Sequence, residues 1–156
     1  MNQPAAELLQ LNVFLGDWET EGLIHPGPWG PGGKFSWTEH SEWMTGNFFL
    51  VGHWHFHMPA DMGGPGEEIF IIGYDSHRRV YTFDAFSSHG LHQVSTGRVK
   101  GGIWIWDSDA LQDGKRIRQR MMIEFLSPTS YTLKFEHSSD GRKWQLFMEG
   151  QAAKKQ

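Results

Sequence analysis

The stretch KFSWTEHSEWMTGNFFLVGHWHFHM, residues 34–58, alternates apolar and polar side chains on both sides of a Thr-Gly pair. Such alternation predicts two β-strands, each burying one face and exposing the other. The Thr45-Gly46 pair is typical of a tight hairpin, which sets the two strands antiparallel and matches their apolar faces. The predicted inner face comprises Phe35, Trp37, Trp43, Phe48, Leu50, Trp54 and Phe56.

The opposite face of the second strand carries His53, His55 and His57 at alternate positions. Neighbours in this row lie about 6.7 Å apart along the strand and can share a metal ion, whereas the outer pair, about 13 Å apart, cannot. A third ligand would have to come from an adjacent strand, where His40 or Glu42 is the candidate. Because the row falls on the predicted outer wall, we interpret it as a polar surface and predict no metal site.

The period of two continues through most of the remaining chain, and turn sequences such as SHG, KGG and SSDGR separate the apolar runs. The exception is residues 4–16, PAAELLQLNVFLG, where leucines and a phenylalanine recur at helical spacing. A sheet of about ten sequential strands must close or split to bury its apolar face. We predict an all-β, antiparallel up-and-down closed barrel with a short N-terminal helix, forming one domain over residues 1–156.

A second hairpin is predicted where KRIRQRMMIEFL, residues 115–126, and SYTLKFEHS, residues 130–138, flank a Ser-Pro-Thr loop. Centring the loop on Pro128 fixes the register of the two strands. The predicted inward pairs are Phe125 with Tyr131, Ile123 with Leu133, Met121 with Phe135, and Gln119 with His137. Trp144 of the last strand is expected across from His137. Arg116, Arg118 and Arg120 fall outside, where Glu136 faces Arg120.

The composition narrows the classes of function. Aromatic residues make up 14% of the chain, including 8 Trp and 11 Phe, so many of them must be buried or line an interior. The absence of cysteine excludes disulfides and thiolate chemistry. A net charge of −4 gives no electrostatic reason to expect nucleic acid or an anionic membrane as a partner. With no basic, apolar leader and no apolar run of about 18–20 residues, we predict a cytoplasmic protein.

Several segments resemble a bacterial domain-of-unknown-function family of calycin-like barrels over nearly the whole chain. They are LNVFLGDWETEG at residues 11–22, FIIGYDSHRRVY at residues 70–81 and FDAFSSHG at residues 83–90. Gly16-Asp17-Trp18 is similar to the G-x-W motif of lipocalins, which implies that Trp18 plugs the closed end of the barrel. Lipocalins carry a late arginine over this tryptophan, and Arg142 is the candidate here.

The chain also resembles nitrobindin and, more distantly, the fatty-acid-binding proteins. The nitrobindin opening is matched by Gly16, Trp18 and Gly22, and His25-Pro26 takes the place of a Tyr-Pro pair. In nitrobindin a histidine near the C-terminal end holds haem. The final segment FMEGQAAKKQ contains no histidine, so the resemblance leaves His137 as the late candidate for haem.

The leading functional hypothesis is a barrel that binds a small apolar or flat molecule, such as a lipid or a tetrapyrrole. A barrel of about ten strands is wider than its own side chains fill, so a cavity is expected. Its predicted lining consists of Phe35, Trp37, Trp43, Trp54, Phe56, Phe83, Met121, Phe135 and Trp144, with Gln119 and His137 as polar anchors. The loops PGPWGPGG, residues 26–33, and PADMGGPGE, residues 59–67, are expected to gate its mouth.

Two other classes of function remain open at this point. The chain is an enzyme if His137 or another inner histidine holds haem, or if His53, His55 and His40 hold a metal. It is an interaction module if it forms a homodimer through its outer histidine and aromatic wall. No residue is predicted to be catalytic, because no nucleophile stands beside an oriented base.

Overall fold

The computed structural model describes residues 3–156 and contains a closed barrel of ten antiparallel strands, which confirms the predicted architecture. Each strand pairs with its neighbours in sequence, and β1 pairs with β10 to close the sheet. The strands are β1 Gly16–Ile24, β2 Gly33–Trp43, β3 Leu50–His57, β4 Pro65–Asp75, β5 Val80–Ser87, β6 His92–Lys100, β7 Ile103–Gln112, β8 Lys115–Ser127, β9 Ser130–Ser138 and β10 Gln145–Lys154.

The predicted hairpin of β2 and β3 is confirmed in its register. Trp37 lies opposite Phe56, and Trp43 lies opposite Leu50. The aromatic side chains of both strands therefore share the inner face. Phe48 differs from the prediction, because it lies in the connecting loop before β3 begins and is exposed.

The predicted pairing of β8 with β9 is also confirmed, including Gln119 opposite His137. The partner of His137 on the last strand is Gln145, and not Trp144 as predicted. The difference arises because β10 begins at Gln145, so that Trp144 belongs to the preceding loop.

The N-terminal helix is a 3₁₀ helix over Ala6–Phe14. Its buried residues Leu8, Leu11 and Phe14 are three positions apart, which matches the three residues per turn of a 3₁₀ helix and lines them up on one side. A second 3₁₀ turn, Ala60–Met62, lies in the loop between β3 and β4. Within residues 3–156, neither helix has the length and apolar character needed to cross a bilayer.

Trp18 closes the end of the barrel next to the N-terminal helix. Its side chain is fully buried, and its indole N–H lies 3.2 Å from the carbonyl oxygen of Phe14 and 3.3 Å from that of Leu15. The ammonium group of Lys154 lies 5.8 Å from the ring centroid, within the range of a cation–π contact. Lys154 therefore takes the place expected for Arg142, which lies in the loop at the other end of β10.

Candidate ligand-binding cavity

An internal cavity of about 260 Å³ lies at the end of the barrel opposite the N-terminal helix. Most of its wall is aromatic or aliphatic and consists of Trp29, Trp37, Trp54, Phe56, Met58, Phe83, Leu91, Trp106, Met121, Phe135, Phe147 and Met148. The polar part of the wall consists of Glu68, Ser87, His89, Gln93, Ser95, Ser108, Gln119, Arg120 and Glu136. A largely apolar wall with a few polar groups is typical of small-molecule sites.

The cavity brings together seven of the residues predicted to line it. They are Trp37, Trp54, Phe56, Phe83, Gln119, Met121 and Phe135. Trp29, from a loop predicted to gate the mouth, is also part of the wall. The other four predicted residues, Phe35, Trp43, Trp144 and His137, lie outside the cavity wall.

Phe35 fills a gap in the barrel wall between β1 and β10. A Cβ atom on Gly22 or Gly150 would lie within 2.8 or 2.9 Å of its ring, so the two paired glycines leave the space that the ring occupies. The ring also stacks on Trp37, with centroids 4.9 Å apart. Phe35 therefore packs against Trp37, which lines the cavity.

Trp43 contacts the N-terminal helix, and Trp144 contacts a residue of the cavity wall from outside the cavity. The indole N–H of Trp43 donates to the side-chain oxygen of Asn12 at 2.8 Å and ties β2 to the N-terminal helix. Trp144 packs on the guanidinium group of Arg120, which lies 4.0 Å from its ring centroid. Arg120 in turn donates to Glu136 at 2.7 Å, which confirms the predicted pair, but both residues line the cavity and do not lie outside it as predicted.

His137 is buried beside the cavity, against two aromatic residues that line it. Its ring centroid lies 5.2 Å from that of Trp29 and 6.2 Å from that of Phe147, both in edge-on contact. Burial lowers the pKa of His137, which favours the neutral imidazole. The side chain thus anchors the Trp29 loop over the mouth of the barrel.

The cavity does not fit haem, the cofactor that the nitrobindin resemblance implies. An axial histidine must face a space large enough for the macrocycle, but the ring of His137 is packed between Trp29 and Phe147. His89 lines the cavity, yet its ring is packed edge-on against Phe56 with centroids 5.4 Å apart.

Glu68 is an ionisable residue of the cavity wall that was not predicted from the sequence. It lies on β4, between Trp54 of β3 and Ser87 of β5. Among residues 3–156, no side chain forms a hydrogen bond or ion pair with its carboxyl group. Burial therefore raises the pKa of Glu68 to about 7. The alternation along β4 indicates that Glu68 points inward, because Glu68 shares the inward face of Phe70 and Ile72.

Glu39 supports the cavity wall through a hydrogen bond to Trp54. Its fully buried carboxyl group accepts hydrogen bonds from the Ser41 hydroxyl at 2.7 Å and from the Trp54 indole N–H at 2.6 Å. Burial raises the pKa of Glu39, although both hydrogen bonds oppose that change. The position of the Trp54 ring is fixed by this carboxyl group. Within residues 3–156, the buried indole N–H of Trp37 finds no acceptor.

The histidine row lies on the outer wall, as predicted. His53 contacts Glu67 of β4, with 3.1 Å between the imidazole Nε2 and the carboxylate Oε2. His40 is engaged by Asp17, with 2.9 Å between Nδ1 and Oδ1. The residue of an adjacent strand that contacts the histidine row is thus Glu67 of β4. The predicted third ligands were His40 and Glu42.

The outer wall next to this row exposes apolar side chains on three adjacent strands. Ile69 and Ile71 of β4, Phe86 of β5 and Val94 of β6 are all more than one-third exposed. Homodimerisation through the outer wall stays a prediction of the sequence analysis.

Two solved structures share the barrel fold with this chain. The crystal structure of Rv2717c from M. tuberculosis is 15% identical, with a TM-score of 0.65 over 99% of this chain and 100% of that one. The S-type phycobiliprotein lyase CPES from Guillardia theta is 10% identical, with a TM-score of 0.65 over 97% of this chain and 94% of that one. At these identities the similarity extends to the fold alone.

No curated protein is detectably similar to the chain. A family model described as "Protein of unknown function (DUF1579)" matches residues 3–154, which is nearly the whole sequence. The chain therefore belongs to the DUF1579 family.

Proposed function

We propose that this calycin-like barrel binds a flat, largely apolar small molecule that carries a hydrogen-bond donor or a cationic nitrogen. The proposal depends mainly on Glu68, whose half-buried carboxyl group has no side-chain partner among residues 3–156 and lines a mostly aromatic cavity. Burying an unpaired carboxyl group lowers the stability of the fold. Such a cost is common at binding sites, where the ligand supplies the missing partner.

The shape of the cavity supports a flat ligand. Trp37, Trp54 and Trp106 line it together with Phe83, and their rings offer surfaces for stacking. Because the volume is about 260 Å³, the site suits a compact ring system or one part of a longer molecule that leaves through the mouth.

A linear tetrapyrrole meets these requirements better than a fatty acid. Its pyrrole rings are flat and carry N–H donors that can bind the Glu68 carboxylate, and its open chain can extend out of the cavity. The barrel shared with a phycobiliprotein lyase is consistent with this ligand class. A fatty acid, in contrast, has no N–H donor for the Glu68 carboxylate and no ring to stack on the tryptophans of the cavity wall.

The proposal predicts saturable quenching of tryptophan fluorescence when tag-free protein is titrated with biliverdin at pH 8. Replacing Glu68 by Gln is expected to weaken this binding about tenfold, because a hydrogen bond to a charged group contributes about 1.5–3 kcal/mol. The variant Glu124→Gln is the matched control, since Glu124 is an exposed residue of β8. Palmitate is expected to bind more weakly than biliverdin. Equal affinity of the Glu68→Gln variant and the native protein, or tighter binding of palmitate, would contradict the proposal.

A further inference from the structure

We propose that His53, His55 and Glu67 form a surface site for a divalent transition-metal ion of the zinc class. The three side chains lie on the outer wall of β3 and β4, outside the ligand-binding cavity. The proposed metal site is therefore independent of the proposed ligand.

The three side chains converge more closely than their positions on the strands require. Alternate residues of a strand are about 6.7 Å apart, yet the ring centroids of His53 and His55 are only 4.4 Å apart. Glu67 lies directly opposite His55 in the pairing of β3 with β4. Each of the three residues offers one ligand atom, and all three atoms lie within 4.8 Å of one another.

The distances from Glu67 to the two histidines are close to those of a tetrahedral zinc site. Bonds of about 2.0–2.2 Å from zinc to nitrogen or oxygen place the ligand atoms about 3.3–3.5 Å apart. The Glu67 Oε2 lies 3.1 Å from the Nε2 of His53 and 3.9 Å from the Nδ1 of His55. Small side-chain rotations bring both separations to the required value, and water can fill the fourth position.

The donor set selects the class of metal. Imidazole nitrogens bind zinc, copper and nickel well, whereas magnesium and calcium prefer sites made entirely of oxygen. Two imidazoles and one carboxylate therefore favour a zinc-like ion over the hard cations.

His40 lies across from His53 on β2 but does not belong to the group of three converging ligand atoms. Its Nδ1 is 2.9 Å from the Asp17 carboxylate, and its Nε2 is 3.6 Å from that of Glu42. The metal site is thus confined to β3 and β4.

Isothermal titration of tag-free, chelator-treated protein with zinc chloride tests this site. We expect one zinc ion per chain, and at least about tenfold weaker binding in each of the variants His53→Ala and Glu67→Gln. The matched control is His77→Ala, which removes an exposed histidine from the turn between β4 and β5. Magnesium chloride is expected to give no binding heat. Cobalt(II) provides a second measurement, because a tetrahedral site gives it a characteristic visible absorption.

Three results would overturn the assignment. The first is the absence of zinc binding to the native protein. The second is unchanged affinity in the His53→Ala variant, provided that circular dichroism shows the variant to be folded. The third is a loss in a His40→Ala variant as large as that in His53→Ala, which would centre the site on β2.

Discussion

Replacing Glu68 by Gln is expected to raise the free energy of unfolding by roughly 2–4 kcal/mol above pH 8, and to leave it unchanged near pH 4. The pKa of Glu68 is about 7 in the folded protein against an ordinary value of 4.5. As the pH rises from 4.5 to 7, the unfolded chain releases this proton while the folded protein keeps it. Glu68 therefore lowers the stability of the native protein by about 1.4 kcal/mol per pH unit in this window, whereas glutamine does not titrate.

Urea unfolding at pH 4, 6 and 8.5 measures this difference. The raised pKa of Glu39 affects the native protein and the variant alike, so it cancels when the two are compared. The Glu124→Gln variant is the control for removing a carboxylate from the outer wall. A difference in stability between the Glu68→Gln variant and the native protein that does not depend on pH would show that Glu68 is solvated or paired in solution.

This gain in stability and the expected loss of biliverdin binding have the same cause. Under the proposed function, the Glu68 carboxyl group, which has no side-chain partner among residues 3–156, destabilises the empty barrel and is the polar contact for the ligand. A residue that lowers stability and raises affinity is expected at a binding site and not in a core that serves packing alone.

Replacing Trp18 by Ala is expected to lower the free energy of unfolding by about 3–5 kcal/mol, because truncating a buried tryptophan leaves a large cavity. Its ring is fully buried and packs on Tyr131, with centroids 5.0 Å apart, and on Phe125 at 6.0 Å. The substitution also removes the indole N–H that holds the end of the N-terminal helix at Phe14.

Urea unfolding of the Trp18→Ala, Trp18→Phe and Trp43→Ala variants checks this prediction. The phenylalanine variant keeps most of the packing and loses mainly the indole hydrogen bonding, worth about 1 kcal/mol. Trp43 lies at the rim of the same end and is only partly buried, so the loss on its truncation is expected to be much smaller. A loss below about 1 kcal/mol in Trp18→Ala would mean that Trp18 does not close the barrel.

The sequence was sufficient to predict the fold and two strand registers, because both depend on local information. Alternation defines the inner face of a strand, and a tight turn fixes how two neighbouring strands align. Trp37 opposite Phe56 and Met121 opposite Phe135 follow from these two rules.

The positions of Phe35 and Trp144 could not be predicted from such local rules. Phe35 fills a space between Gly22 and Gly150, which meet only when the first and last strands close the barrel. The position of Trp144 depends on where β10 begins, and strand ends are poorly defined by sequence.

The acidic residues of the two sites were missed for different reasons. Glu39 and Glu68 alternate with apolar residues on inward faces, so the pattern marks both positions as inward, although only their aromatic neighbours were predicted to line the cavity. The contact of Glu67 with His53 depends on the register of β3 with β4. The long loop between those strands does not fix that register, unlike a two-residue turn.

Native mass spectrometry of tag-free protein mixed with biliverdin tests the central claim, that the cavity is a ligand-binding site, most directly. Ser108→Phe fills the cavity from β7, whereas Ser36→Phe adds the same ring to an exposed position of β2. We expect a 1:1 complex for the native protein and for Ser36→Phe, and free protein for Ser108→Phe. A complex retained equally by all three proteins would place the ligand outside the barrel and contradict the claim.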